Sequence, residues 1–299
     1  IYIFDNTKLH INMQTIAETE LILTTENKIY HLNLSKDEIA DNIILVGDPE
    51  RVPIISSKFD SIEYKIQNRE FITHTGTLNG KKVTAIATGI GPDNIDIVIN
   101  ELDALVNIDF KTRTINKNKK TLNLIRLGTS GALQQDIKVD TFIAASYGLG
   151  FDGLAHFYQN KEILEQEMGN AYTNHAALAS KLADPYFVKA SVNLLSLFPD
   201  IKQGITATAP GFYGPQGRTL RLKPSITDLH EKMESFAYQK NRITNFEMET
   251  SALYYLGQSL GHNTLTICAV IANRLSKQYS SDYKKTVEEM IDLVLKRIC

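Results

Sequence analysis

Four short stretches of this chain combine charged, amide and small residues in patterns suited to holding a small ligand. The first is Gly47-Asp48-Pro49-Glu50-Arg51, directly after the apolar run Ile43 to Val46. Gly47 permits close backbone approach, Asp48 can cap a helix, and Pro49 fits that helix's first turn. Amides at such a helix start, with Arg51 beside them, make a phosphate-sized anion site. The same residues also serve an ordinary capped strand-to-helix turn. The second stretch is Arg126-Leu127-Gly128-Thr129-Ser130-Gly131, where an arginine ends an apolar strand and a small-residue loop rich in donors is expected to follow. Open sheets bind ligands at that end. A lone charge in such a strand needs a partner, and an internal carboxylate and a bound anion are equally good candidates.

The third stretch, Phe212-Tyr213-Gly214-Pro215-Gln216-Gly217-Arg218, is aromatic and glycine-rich. A planar base could stack on Phe212 while Gln216 reads an amide-like edge and Arg218 binds a carbonyl; an ordinary surface loop has the same composition. The fourth is Glu247-Met248-Glu249 at an expected helix start. Carboxylates there are favoured by the helix dipole, which makes a solvated first turn the plain reading. The chemical reading is that one carboxylate accepts hydrogen bonds from vicinal sugar hydroxyls. A fifth pattern, Gly148-Leu149-Gly150-Phe151-Asp152-Gly153, matches the dinucleotide fingerprint in spacing. The expected continuation, a helix and then a strand-end acid about 20 residues on, is missing, so the match is discounted.

The elements that must position these groups can be read from apolar periodicity. Buried strands are predicted at Asn42 to Val46, Val83 to Thr88, Asn123 to Leu127, Thr141 to Tyr147, Ile205 to Ala209 and Thr264 to Ala272. Helices are predicted at Asp93 to Val106 and Met248 to Leu260, and strands alternating with helices indicate an α/β fold. The polar, lysine-rich stretch Asn107 to Thr121 breaks the rhythm and is expected to be an exposed insertion. With no linker and no internal repeat, we expect one domain over 29–299, an insertion at about 107–122 and an N-terminal extension over 1–28. The chain opens on Ile1, with its first methionine at Met13; residues 1–12 read as cloning-derived or as the product of an upstream start, and carry no functional weight.

Charge and cysteine content exclude several classes. The 32 basic and 34 acidic residues nearly cancel, so no global field is available to hold nucleic acid, and an anion must be bound locally. The two cysteines, Cys268 and Cys299, suit neither a disulfide framework nor a zinc site, which points to a reducing, cytoplasmic setting. No apolar stretch approaches the ~20 residues of a membrane span, and no secretory signal pattern is present.

Taken in order, the four sites resemble the nucleoside phosphorylase family over roughly His31 to Arg274, and within it the uridine-cleaving branch. That resemblance implies a mixed, barrel-like central sheet flanked by helices, and phosphorolysis of uridine, with deoxyuridine a further candidate. Phosphate is then a co-substrate, and no metal or organic cofactor takes part. It assigns Gly47, Arg51, Arg126 and Thr129 to phosphate, joined by Arg69 of the Arg69-Glu70-Phe71 step. It assigns His31, Thr129, Glu247, Met248 and Glu249 to ribose, Glu249 being the choice for the sugar hydroxyls. Phe212, Gln216, Arg218, Phe246 and Arg274 go to the base, and the chemistry rests on Arg126, Gln216, Arg218 and Glu249.

His31 and Arg69 resemble residues that enter a neighbouring subunit's site. A homodimer is therefore expected, the long insertion weighing against a hexamer. Where purine-cleaving relatives carry a proton-donating aspartate, this chain has Ala272-Asn273-Arg274. An interface ion would map to Glu70, Ile90 and Asn94, with asparagine where the family has serine. A purine phosphorylase, a hydrolytic nucleosidase of the same fold and a non-catalytic nucleoside-binding protein are the alternatives.

Overall fold

Uninterrupted β-branched and aliphatic runs place the central strands of this protein close to where periodicity predicts them. The computed structural model describes residues 15–177 and 182–299. Its strands begin with β1 (Asn42–Val46), the hairpin β2 (Ser61–Asn68) and β3 (Phe71–Leu78), and β4 (Lys81–Ala87). After two-residue strands β5 (Ile108–Asp109) and β6 (Thr114–Ile115) come β7 (Asn123–Ala132), β8 (Phe142–Gly150), β9 (Tyr186–Lys189) and β10 (Lys202–Thr208). The last are β11 (Ala237–Tyr238), β12 (Asn241–Glu247), β13 (Asn263–Asn273) and β14 (Gln278–Tyr279). The helices are α1 (Arg51–Ser56), α2 (Pro92–Asn107), α3 (Gln166–Ala176), α4 (Val192–Leu195), α5 (Leu229–Ser235), α6 (Thr250–Ser259) and α7 (Tyr283–Ile298).

The sheet runs β11-β12-β10-β8-β13-β7-β1-β4-β3-β2, and β12 also pairs back onto β7. That extra pairing closes β7, β13, β8, β10 and β12 into a ring, while β1, β4, β3 and β2 extend from it as an open wing. The mixed α/β barrel is thus the architecture the family resemblance implied. α6 packs on α2 and against β8, β10 and β13; α7 covers β7 and β13; α1 sits on β3 and β4. Among the described residues no helix is long and apolar enough to cross a membrane.

Closure explains the main departure from the predicted elements. Gly128 to Gly131 were expected to form a loop after Arg126, but β7 continues through them to Ala132. There it pairs with β13, Gly128 opposite Cys268 and Thr129 opposite Ala269, and then with β12, Gly131 opposite Phe246. A strand that leaves β1 after Arg126 and takes up β12 while still paired with β13 must curl sharply, and small residues permit it. Inside the ring Asn245 is fully buried; it donates to Ser130 Oγ and accepts from Thr206 and Thr244, tying three strands of the ring.

Two smaller differences follow from local chemistry. Pro49 and Glu50 form a turn that leads into α1, whose regular helix starts at Arg51 rather than at the proline. The 107–121 stretch is mostly exposed, yet its β5–β6 hairpin is anchored: Arg113 donates to the carbonyls of Ile16 and Ala17 at 2.9 and 3.0 Å, and Asn107 is buried against Lys120. The discounted fingerprint does not open onto a nucleotide-binding helix, because Gly153 turns at φ 74° into a short 3-10 segment. Its glycines make room for packing instead, a Cβ at Gly148 falling 3.0 Å from the Ser251 backbone.

Candidate active site

The barrel end brings three of the four stretches to one place. Arg126 lies on β7 with its side chain only 5% exposed. Its Nη1 is 3.1 Å from Glu247 Oε2, and its Nη2 donates to Glu249 Oε2. Glu247 ends β12 and Glu249 caps α6, so the strand-to-helix turn delivers both carboxylates to one guanidinium. Neither is solvated: they are 4% and 3% exposed, because α6 begins beneath the barrel and its first turn faces inward.

The two acids are not equivalent. Glu247 accepts from Thr208 Oγ1 at 2.8 Å, from Glu249 N at 2.9 Å and from Thr250 N at 3.0 Å, and so is committed to protein donors. Glu249 accepts from Gly91 N at 2.8 Å and from Arg126, which leaves lone pairs for a ligand. Met248 between them is half-buried. Burial pushes the Glu249 carboxyl up to about 7; Arg126 pulls the other way and Glu247 adds to the rise. Burial works against the Arg126 charge, but Glu249 and then Glu247 outweigh it and hold that guanidinium firmly protonated. One cation facing two buried acids cannot neutralise both, so the upward direction for Glu249 is the physical one.

Cations converge on the same place from the other strand ends. Arg126 Nε is buried and has no partner among the described residues. The Arg51 guanidinium, 3.9 Å from Asp48, is lowered first by burial, with the nearby Arg126 charge also lowering it. Gly47 lets its turn approach the Gly89 carbonyl, 3.3 Å from a would-be Cβ. Thr129, half-buried and next to Gly128 in β7, offers a hydroxyl that no described residue engages. Of the four residues expected at a phosphate, Arg126 and Thr129 thus keep polar atoms that no described residue engages, and Arg51 lies close enough to Arg126 to feel its charge.

The base-loop residues gather separately around Phe246. Arg218 stacks 3.6 Å from the Phe212 ring centroid and donates to the Phe212 carbonyl and to Gln216 Oε1. Arg274 lies 5.3 Å from the Phe246 centroid and donates to Gln216 O at 2.7 Å, while its Nη2 is buried without a partner among the described residues. Burial, then the Arg274 charge, pull Arg218 down to about 10. Asn273 is fully engaged with main chain: it donates to Gln134 O and Ile137 O and accepts from Leu275 N and Ser276 N. An apolar cavity of about 760 Å³ shares Tyr213 and Arg218 with this loop, but Arg126, Gln216 and Glu249 do not line it. The convergent charges, not that cavity, mark the chemistry.

His31 and Arg69 stand elsewhere. Arg69, at the tip of the β2–β3 hairpin with φ +52°, is exposed and donates to Tyr30 Oη at 3.3 Å. His31 is 2.6 Å from Glu101 through Nδ1. Among the described residues neither side chain bonds to the Arg126 cluster. Glu70 and Asn94 both lie against Gly89, next to the exposed Ile90, so the residues expected around an interface ion are neighbours. No group of three acidic, histidine or cysteine side chains that could hold a metal ion occurs among the described residues.

Sequence reasoning missed four contributors: Gly91, Glu101, Thr208 and His230. Gly91-Pro92-Asp93 carried a helix-start signal that could have flagged the first. His230 has its Nε2 2.9 Å from Arg274 Nη1 and 2.8 Å from Gln216 O, contacts no local pattern announces. Burial lowers its pKa, against the hydrogen bond to Gln216 O that raises it, and the Arg274 charge lowers it further.

The family model described as "Phosphorylase superfamily" matches residues 41–299. A uridine phosphorylase from Thermococcus kodakarensis is 31% identical over 279 residues, 91% of this chain and 87% of that protein. A DeoD-type purine nucleoside phosphorylase from Brevibacillus brevis is also 31% identical, over 89% of this chain and 96% of its own. Among solved structures, the Trypanosoma brucei nucleoside phosphorylase described as showing uridine phosphorylase activity superposes with TM-score 0.81 at 28% identity, over 93% of this chain and 99% of that one.

Two outcomes test this geometry. A Cβ at Gly128 would fall 2.0 Å from Arg126 Nη1 and 3.1 Å from Cys268 Sγ, so Gly128→Ala must push the guanidinium off its carboxylates. We expect turnover to fall roughly 100-fold or more with the fold retained by circular dichroism, the scale of a lost transition-state donor; near-normal turnover would show that the Arg126 position is not needed. The second concerns pH. The Glu249 pKa rises from 4.5 to about 7 on folding, so its stabilising contribution is full below 4.5 and fades as pH climbs to 7. Wild type should therefore lose stability relative to Glu249→Gln across that window in urea titrations; a flat or rising difference contradicts the raised carboxyl.

Proposed function

The chain belongs to the phosphorylase superfamily and is a pentosyltransferase with nucleoside phosphorylase activity, and from that premise we propose that its nucleoside is uridine, split by inorganic phosphate into uracil and ribose 1-phosphate. The observation that carries the choice of base is the cationic pocket on Phe246. Among the described residues Arg218 and Arg274 face Gln216 with no acid paired to either, and one Arg274 nitrogen is buried without a partner. A departing uracil carries negative charge on its carbonyl oxygens, so donors already placed there act more strongly in the transition state than on the neutral base. A purine reading has equal identity behind it, but it needs a proton donor where Asn273 is tied to four main-chain groups.

In this scheme phosphate lies against Gly47, Arg51, Arg126 and Thr129 and attacks the anomeric carbon as the glycosidic bond opens. Glu249, beside Arg126, holds the sugar hydroxyls, and Arg126 thereby aligns sugar and phosphate. Hydrolysis would need no such set of arginines. Phosphate is a co-substrate, and no other group is assigned a step. The test is uracil release from uridine with and without phosphate, and from inosine as hypoxanthine. Release should require phosphate and favour uridine by about 10⁴-fold, the scale at which buried polar groups reject a base that leaves them unpaired. Equal release without phosphate would sink phosphorolysis, and comparable use of inosine would sink the pyrimidine choice.

We assign the working unit to a homodimer in which Arg69 and His31 reach the other subunit's site. Two features support this. Arg69 on the wing and His31 in the turn beside it make no contact with their own Arg126 cluster among the described residues, and Arg69 keeps a left-handed backbone that disfavours an arginine by about 1–2 kcal/mol. A two-fold contact would give two composite sites. Arg69→Ala and Arg126→Ala homodimers should then be nearly inactive, while subunit exchange puts both lesions in one site and leaves the other intact. Activity should return towards one site per mixed dimer. Exchange verified by mass with no recovery would rule out Arg69 acting in trans.

A further inference from the structure

The apolar cavity of about 760 Å³ beside the base loop has no part in the scheme above. One wall is the connection from β10 to α5, whose only regular element is a short 3-10 turn at Gly214–Gln216. Leu220, Leu222, Ile226 and Leu229 line the cavity from that side, and Phe151 and Leu182 from the segments after β8 and before β9. Leu220 and Leu222 are 73% and 82% exposed. Single exposed leucines are ordinary, but two that border an apolar cavity form one patch with it. Charge indicates what would cover that patch. Arg218, Arg221 and Lys223 line the same cavity, and among the described residues no aspartate or glutamate does. Asp228, in the same connection, turns to Lys232 at 3.1 Å. Arg221 and Lys223 are exposed and so stand at the rim; Arg218 is half-buried, and its described partners are the neutral Phe212 carbonyl and Gln216 Oε1. Burial, then the Arg274 charge, pull Arg218 down to about 10, as befits a cation short of an anion.

We propose that this cavity is a second ligand site, for a small amphipathic carboxylate whose apolar body fills it and whose head group is held by Arg221 and Arg218. Size favours a small molecule: cavities of about 300–1,000 Å³ take such ligands, whereas a protein partner needs a contact face of about 800 Å². A carboxylate matches the arginine fork and brings a single charge to be desolvated beside an apolar wall, where a phosphate monoester brings up to two. Arg218 couples the cavity to the base. A carboxylate that engages it withdraws a donor from the nucleobase, so the two ligands oppose each other, and by the same factor in either direction. That opposition rests on the reading of Arg218 as a base ligand; occupation of the cavity does not.

Isothermal titration calorimetry with octanoate, 4-phenylbutanoate, butanoate and octan-1-ol reads the site directly, the first two distinguishing an alkyl from an aryl body. Octanoate should bind at least about tenfold tighter than butanoate, within the roughly 200-fold that four fully buried methylenes would give. It should also bind about tenfold tighter than octan-1-ol, the scale of a hydrogen bond to a charged group. Arg221→Glu should weaken octanoate by about tenfold and leave kcat/KM for uridine unchanged, and Leu222→Ser should weaken octanoate but not butanoate. In steady-state assays octanoate should raise KM for uridine without lowering kcat. Octanoate affinity that is equal in wild type, Arg221→Glu and Leu222→Ser, or no higher than that of butanoate, overturns the site. So does the absence of octanoate binding together with a Leu222→Ser change in assembly mass by sedimentation, which would show that a second copy of the chain covers the leucines. Binding as expected with an unchanged KM would overturn the coupling through Arg218. In that case Arg218→Ala locates the error: normal kcat/KM for uridine in this variant means that the base reading has failed, and a large loss means that the head group does not reach Arg218.

Discussion

A guanidinium buried to 5% exposure needs negative charge close by, and in this protein the needs of Arg126 organise the whole barrel end. Taking such an ion out of water costs several kcal/mol, and removing one partner of a buried pair costs about 3–5 kcal/mol. The two carboxylates that meet this cost come from a single strand-to-helix turn, β12 into α6, so that turn must close against β7. Closure in turn requires β7 to leave β1 after Arg126 and reach β12 through its run of small residues, still paired with β13. Gly128 cannot carry a side chain without displacing the arginine it follows. Charge, strand curvature and residue size are one constraint seen at three scales.

The constraint leaves an asymmetry that a reaction can use. Glu247 spends its oxygens on Thr208 and the first amides of α6, acting as the anion of that helix start. Glu249 is left partly unsatisfied, with a carboxyl raised by burial, while Arg126 keeps a free Nε and Arg51 lies close enough to repel it. Open acceptors therefore sit next to open donors, which under the proposed scheme serve a sugar and an anion. At the other end Arg218 and Arg274 repel each other across Gln216. Under the proposed scheme the sugar turns cationic between phosphate below and a base gaining negative charge above. Preorganised donors at both ends are what that charge separation needs in a site with little water.

Most of this was legible where a residue is unusual for its surroundings. Arg126 announced itself as a charge in an apolar strand, and its competing explanations, internal carboxylate and bound anion, turn out not to exclude each other: two acids hold it and one nitrogen stays open. The small residues after it misled, because Gly-Thr-Ser-Gly has loop composition, and only the pairing to two other strands makes it strand. The β2–β3 hairpin escaped notice for the opposite reason. Ile62, Tyr64 and Ile66 alternate with polar residues along an exposed edge, which is a weaker signal than the apolar runs of the central strands. α7 packs Val287, Met290, Ile291 and Val294 at helical spacing, yet no chemistry-bearing motif drew attention to it. Glu101 and His230 were illegible in principle, since their partners lie 70 and 44 or fewer residues away and only the fold brings them together.

Helix α2 links these layers. At its start Gly91 donates its amide to Glu249, and ten residues later Glu101 holds the turn that carries His31. At 1.5 Å per residue the two ends of that link are separated by about 15 Å along one rigid axis. α2 is apolar on the face that meets α6, burying Ile95, Val98, Ile99 and Leu102, so its position is set by the same packing that seats Glu249. Under the shared-site reading, each subunit's sugar carboxylate and the histidine it lends outward are therefore fixed to opposite parts of one helix. A shift of α2 that disturbed a subunit's own Glu249 would also move the His31 it offers, and the two-fold relation would return the same change from the neighbour. The geometry of both composite sites is then set by the packing of one pair of helices per subunit, α2 on α6, and not by the loops that surround the ligand.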